Sequence, residues 1–266
     1  WFKRHAPNGA RVHVTDITSG LPMIAVMGPK TRELMSRLSP DDFSNHAFPF
    51  GTSRDKDLGY ARVRASRLTF MGELGYELYV ETEFAAHVYE AIVDAGRDLG
   101  LKHGGFFALN SLRMEKGYRH WGHDIGEEDT PYNGGVGFAV AMDKPGGFFG
   151  REALQRQRAE GAVKRRLVQV KLAGGPDMPM LYHNEPLLHN GAIVGSITSG
   201  AYGHRIGASL GLGYVNNTGG VTKDWLADGK WEVEIAMKPY HVEVQFGPWY
   251  DPQNMRVRNY ANGVDR

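Results

Sequence analysis

"MGELGYELYV", residues 71–80, sets two carboxylates, Glu73 and Glu77, in a stretch that otherwise reads as a glycine bend running into a strand. On a strand of period two, Glu77 lies on the opposite face from Tyr76 and Leu78, and Tyr79 and Val80 follow, so little of the segment is made for water. A carboxylate that leaves water must be paired, hydrogen-bonded or neutral, because a bare one is strongly penalised. Either the protein or a ligand has to supply the donors. From spacing alone, Glu73 reads as a solvent-facing turn residue. Glu77 reads as a strand carboxylate paired with an arginine such as Arg67 across a hairpin.

Working outward, residues 60–80 give two strands around the Gly72 bend. In "TEFAAHVYEAIVDAGRDLG", Phe84, Val88, Ile92, Ala95 and Leu99 recur at spacings of three or four, which predicts an amphipathic helix from about Thr82 to Gly100. Upstream, residues 11–27 give two short β-rich runs parted by a Ser-Gly-Leu-Pro turn, and "GPKTRELMSRLSP" a short helix with Pro29 at its first position. Downstream come a helix, "GFFALNSLRMEKG", capped by Gly117, and a long irregular stretch, "YRHWGHDIGEEDTPYNGG". A strand, "VGFAVAMD", and a helix, "GREALQRQRAEG", follow. After "VKRRLVQVKL" short β runs alternate with glycine turns and no helix pattern appears. The expectation is two domains: an α+β region over residues 1–160, and an all-β unit, sandwich or barrel, over 161–266. "WFKRHAPNGA" reads as the end of a helix already under way, as in a piece of a longer protein.

Composition narrows the classes. With 41% hydrophobic and 23% charged residues the chain has a globular balance, and no stretch approaches the roughly 20 apolar residues of a membrane span. A net charge of +1 gives no reason to expect nucleic acid as a partner, while a small anionic ligand stays open. The absence of cysteine removes disulfides, thiolate metal sites, iron-sulfur clusters and a cysteine nucleophile together. Glycine, 35 of 266 residues, is spread along the chain and implies many tight turns.

Several motifs read as scaffolding. His120, His123 and Asp124 in "RHWGHDI" have a glycine where a zinc helix would need rigidity, so they are expected to tie down their own loop, and no metal is predicted. "GGVGFAV" and "SLGLGYV" lack the strand-turn-helix frame of a dinucleotide fingerprint. Ser199 in "SITSGAYG" lacks the preceding glycine of a nucleophile elbow and reads as a turn. "KRR", 164–166, reads as a solvated strand end that could meet an anionic tail, and Arg113 with Glu115 as a salt-bridged helix edge.

Taken in order, "GELGYELYV", "ALNSLRMEKGYRHWGHDI", "TPYNGGVGFAVAMDK", "FFGREALQRQ", "KRRLV", "VGSITSGAY", "LGLGYV" and the terminal "GPWYDPQNMRVR" resemble the aminomethyltransferase family of glycine cleavage. The likeness is to the folate-binding C-terminal region of sarcosine and dimethylglycine dehydrogenases. It implies an α+β folate-binding fold, incomplete at its N-terminus, followed by a β-barrel or jelly-roll domain. It also implies tetrahydrofolate as cofactor, with contacts from Glu77, Phe70, Tyr76 and Tyr250. Glu77 would grip the pterin edge, whose adjacent amine and ring N–H suit one carboxylate accepting twice. Phe70 stands where relatives often have tyrosine. Leu109 stands where glycine-cleavage members have a folate-holding arginine, which favours the dehydrogenase branch. The family's catalytic aspartate and any FAD domain would precede residue 1, so no catalytic residue is assigned here. The implied partners are a folate and an upstream flavin domain or subunit, and the implied compartment the cytoplasm, or the mitochondrial matrix in a eukaryote. A stand-alone aminomethyltransferase and a non-catalytic folate-fold module remain the alternatives.

Overall fold

The structure is a computed structural model that describes residues 1–259; the end of the expected second domain, residues 260–266, lies outside them. The chain forms two compact units. The first comprises residues 1–69, 73–103 and 256–259 of those described, and the second residues 70–72 and 104–255.

After one helical turn, α1 (Phe2–His5), the first unit runs β1 (Met23–Met27), α2 (Thr31–Leu38), β2 (Ser53–Leu58), β3 (Ala61–Ser66), β4 (Gly75–Tyr79) and α3 (Ala85–Ala95). The strands form an antiparallel sheet in the order β1-β4-β3-β2. Period-two alternation sorts its faces. Val26, Val63, Ala65, Tyr76 and Leu78 turn inward onto Leu34 and Met35 of α2, Val88 and Ile92 of α3, and the loop rings Phe43 and Phe48. Each of the valine, leucine, isoleucine, methionine and phenylalanine side chains among them contributes about 1.5–3 kcal/mol by leaving water. The other face carries Ala25, Glu77 and Tyr79.

Local differences from expectation have local causes. Of the two β runs expected in residues 11–27 only the second becomes a strand, while 11–17 stay exposed. Helix α2 begins at Thr31, not Pro29, because Gly28, at φ +138°, turns the chain and its N–H bonds the Leu74 carbonyl at 2.7 Å. Helix α3 stops at Ala95, short of Gly100, with Gly96 donating to Ile92 and Leu101 to Gly96 in a closing turn.

The second unit contains α4 (Phe106–Glu115), α5 (Arg151–Ala159), β5 (Arg165–Leu172), β6 (Pro186–His189), β7 (Ala192–Gly203), β8 (Ala208–Asn216), α6 (Lys223–Ala227), β9 (Trp231–Ile235) and β10 (Lys238–Gln245). The six strands close into a barrel in the order β10-β5-β8-β7-β6-β9, which leaves no exposed edge. Val168, Val170, Leu187, Ile197, Val215 and Val233 form much of its core. Glycines let the backbones approach: a Cβ on Gly195 would meet the Tyr214 carbonyl oxygen at 1.8 Å, and one on Gly200 the Leu181 carbonyl oxygen at 2.0 Å.

Three expectations fail in this unit. "VGFAVAMD" is no strand: Ala139 and Val140 bond back to Val136 and Gly137 in a 3₁₀ turn, and Phe138 is exposed. Ser199 lies within β7, beside a bulge, and not in a turn. A helix, α6, does occur among the strands, capped where the Thr222 hydroxyl accepts the Trp225 N–H at 3.1 Å. A last helix, α7 (Met255–Asn259), returns the chain to the first unit.

Candidate functional site

Glu77 sits mid-strand on β4, between Ala25 of β1 and Ser66 of β3. Both neighbours are small, and the Ser66 hydroxyl is engaged with that of Ser53 at 2.7 Å. The carboxylate is half-buried. It accepts one bond, from the Tyr79 hydroxyl at 3.1 Å, and among the described residues no lysine or arginine pairs with it. Burial, and next the bond to Glu77, push the Tyr79 phenol above its ordinary 10.0, so it remains a donor.

The expected partner is committed elsewhere. Arg67, 1% exposed, donates to the Phe48 carbonyl at 2.7 Å and to the Val257 carbonyl at 3.3 Å. Glu73, expected to face solvent, is instead buried at 7% exposure. Tyr76 points the opposite way from Glu77: its ring stacks on Phe48 at 5.4 Å, meets Phe43 edge-on at 5.2 Å, and its hydroxyl donates to the Phe43 carbonyl. With no exposed surface, Tyr76 seats strand β4 from behind.

Phe70 and Tyr250 both belong to the second unit, where the turn ending α4 gathers them. Gly117, at φ +60°, reverses the chain between Lys116 and Tyr118. Phe70 lies parallel to Tyr118 with ring centres 6.4 Å apart. The Lys116 ammonium donates to the Asp251 carbonyl at 2.6 Å and its carboxylate at 3.1 Å, and sits 5.9 Å from the Tyr250 ring. The Arg205 guanidinium lies 5.1 Å from the same ring, and the Tyr250 N–H reaches the Glu115 carbonyl. The Glu115 side chain in turn accepts the backbone N–H groups of Arg205 and Ile206. Arg113 and Glu115 are thus buried and separately engaged, not an exposed edge pair.

The tie expected of Asp124 within its own loop is one bond of a wider network, the rest of which the spacing did not announce. Asp124, fully buried, accepts from Arg113 Nη1 at 2.6 Å, the His120 N–H at 2.8 Å and the Thr198 hydroxyl at 2.6 Å. It ties the irregular loop to α4 and β7. His120 and His123 lie 5.0 Å apart, and no three His, Asp or Glu side chains among the described residues are placed to hold a metal. Of "KRR", only Lys164 is fully solvated. Arg165 pairs with Asp129 and lies over the Tyr214 ring, and Arg166 donates to the Tyr132 carbonyl.

A sheet-and-helix unit followed by a closed six-stranded barrel is the architecture of an aminomethyltransferase. The glycine cleavage system aminomethyltransferase T of Bartonella henselae has this fold, matching at a TM-score of 0.60 over 90% of this chain and 85% of its own, with 19% identity. In sequence, residues 1–144 match the GCVT N-terminal domain and residues 165–251 the glycine cleavage T-protein C-terminal barrel domain; the chain belongs to this family. Among curated relatives, 4-methylaminobutanoate oxidase (formaldehyde-forming) of Paenarthrobacter nicotinovorans is 43% identical over 97% of this chain. Human mitochondrial sarcosine dehydrogenase is 34% identical over 94% of it. The chain spans only 30% and 27% of those two proteins.

Proposed function

We propose that this chain is the tetrahydrofolate-binding portion of an enzyme that oxidises an N-methyl amine, with Glu77 as the pterin anchor. The observation that carries the reading is a half-buried carboxylate that takes one hydroxyl bond and, among the described residues, has no cationic partner. Such a group retains acceptor capacity, and a flat edge with two adjacent N–H donors fits it. When bound, tetrahydrofolate supplies an amine nucleophile for a one-carbon unit at the oxidation level of formaldehyde.

The chain's own residues bind and orient. Tyr79 holds the Glu77 carboxylate in place, and Tyr76 fixes the strand beneath it. Phe70 and Tyr250 supply aromatic faces for a planar ligand. Holding a nucleophile where the electrophile forms is the larger part of such catalysis, since it replaces a bimolecular encounter. The oxidation itself is assigned to a flavin carried outside this chain, and the two domains are taken to meet near residue 160. The compartment that goes with this reading is the cytoplasm, or the mitochondrial matrix in a eukaryote; no described helix is long and apolar enough to cross a membrane.

Glu77→Gln replaces an acceptor oxygen with a donor, and is expected to weaken tetrahydrofolate binding by roughly 2 kcal/mol or more, about 30-fold. Titration calorimetry on both proteins decides, and equal affinities reject the anchor. One relative is formaldehyde-forming by name, which favours a second reading in which the fold persists but the one-carbon unit is released. Product analysis with tetrahydrofolate present separates the two: methylenetetrahydrofolate supports capture, and undiminished free formaldehyde supports release.

A further inference from the structure

We propose that the open face of the four-stranded sheet is a track for the tail of the folate, with Arg64 and Arg62 as receptors for its carboxylates. The inference rests on the folate reading above for the identity of the ligand, and on contacts within the first unit alone for its geometry. Register sorts this face into rows. Ala25, Glu77, Ser66 and Ser53 make the first, Met23, Tyr79, Arg64 and Asp55 the second, and Arg62 with Asp57 the third. Successive rows lie two residues apart, so Arg64 stands about 7 Å and Arg62 about 13 Å along β3 from the row of Glu77. In the other direction the face is closed. Gly75, the next residue of β4 on this side, is covered by Met27, whose sulfur a Cβ at Gly75 would overlap. A head group held by Glu77 therefore has Met27 at one end and, at the other, the Tyr79 ring and then two arginines.

The two guanidinium groups have donors to spare. Arg64 gives Nε to Asp55 at 3.0 Å and Arg62 gives Nη1 to Asp57 at 3.4 Å, and neither side chain makes another hydrogen bond among the described residues. Both side chains are more than half exposed, at 64% and 70%, and ion pairs so exposed contribute little to stability. They orient a guanidinium without consuming it: Arg64, bonded through Nε alone, keeps both Nη groups for a carboxylate. Tetrahydrofolate has the matching order of groups, a flat head with donors at its edge, an aromatic spacer, and a glutamate with two carboxylates at the far end. The spacer crosses the row of Tyr79 and Met23, and the glutamate arrives at two cations one row apart.

The test titrates the full chain calorimetrically with two probes, 5-formyltetrahydrofolate and 6-methyltetrahydropterin, which has the donor edge but no tail. Arg62→Gln combined with Arg64→Gln is expected to bind the folate roughly tenfold more weakly, the loss of one or two charge-assisted contacts at an exposed site, and to bind the tailless pterin as the wild type does. Asp55→Asn combined with Asp57→Asn frees both guanidinium groups and takes two like charges off the path of the tail. It should bind the folate severalfold more tightly, a gain that purely structural salt bridges do not produce. Wild-type affinity for the folate in the arginine variant, an equal loss for both probes, or no gain in the aspartate variant overturns the track. A wild-type chain that binds both probes equally leaves Glu77 as the anchor and rejects the track alone, whereas one that binds neither sinks the folate reading and the track with it.

Discussion

Replacing Asp124 by asparagine removes one charge and almost no volume, so its effect isolates electrostatics from packing. Asp124 takes three bonds, from Arg113, the His120 N–H and Thr198. An amide can keep at most the acceptor half of this set and turns a donor toward a donor. Removing one member of a buried pair costs about 3–5 kcal/mol, chiefly because the other charge stays buried. Arg113 keeps bonds to the Tyr118 carbonyl at 3.0 Å and to Asn110 Oδ1 at 3.3 Å, which places the expected loss near the lower end. For a unit of this size each kcal/mol moves the Tm by about 2–4 °C, so Asp124→Asn should melt roughly 6–12 °C lower. Tryptophan fluorescence suits the measurement, because Trp121, Trp225, Trp231 and Trp249 all lie in the second unit. Arg113→Met combined with Asp124→Asn should cost less than Asp124→Asn alone. A single-variant shift below about 2 °C, or a double variant worse than either single, refutes the reasoning.

Asp129→Asn should reveal a pH-dependent contribution. Burial alone would raise the Asp129 pKa, but the Arg165 guanidinium and the Gly126 N–H outweigh it and hold the carboxyl below its ordinary 3.8. A depressed pKa stabilises the fold fully above the ordinary value, and that stabilisation disappears as pH falls through the folded one. The wild type should therefore exceed Asp129→Asn by about 1.5–3 kcal/mol at neutral pH, with the gap closing below 3.8 in urea titrations run across pH; a gap independent of pH argues against the ion pair. Gly200→Ala drives a methyl into the Leu181 carbonyl, 2.0 Å away, and should cost about 1–3 kcal/mol or more in the same assay; an unchanged midpoint would mean that the strand contact is not close.

Much of the architecture was legible because it is local. Period-two runs broken by glycine announced the barrel strands, spacings of three and four announced α3, and the Gly117 cap marked the end of α4. Barrel closure was not readable, since the pairing of β10 with β5 joins segments some seventy residues apart without a turn between them. "VGFAVAMD" misled because an apolar run becomes a strand only where a ladder partner exists, and here the chain bonded to itself. The site divides the same way. Alternation placed Glu77 and Tyr76 on opposite faces, but chemistry for Glu77 came from resemblance, and spacing alone offered Arg67 as its partner. Arg67 and Asp124 defeated a linear reading because their partners are remote: Val257 is 190 positions from Arg67, and Thr198 is 74 from Asp124.

Arg67 carries a consequence for biosynthesis. Its buried guanidinium takes a carbonyl from Val257, 190 positions later in the chain. At about 5–20 residues per second, a ribosome needs roughly 10–40 seconds to make that stretch. Throughout that interval the sheet unit must wait with a cation lacking one of its acceptors, so its core is completed only by a segment made after the whole of the barrel.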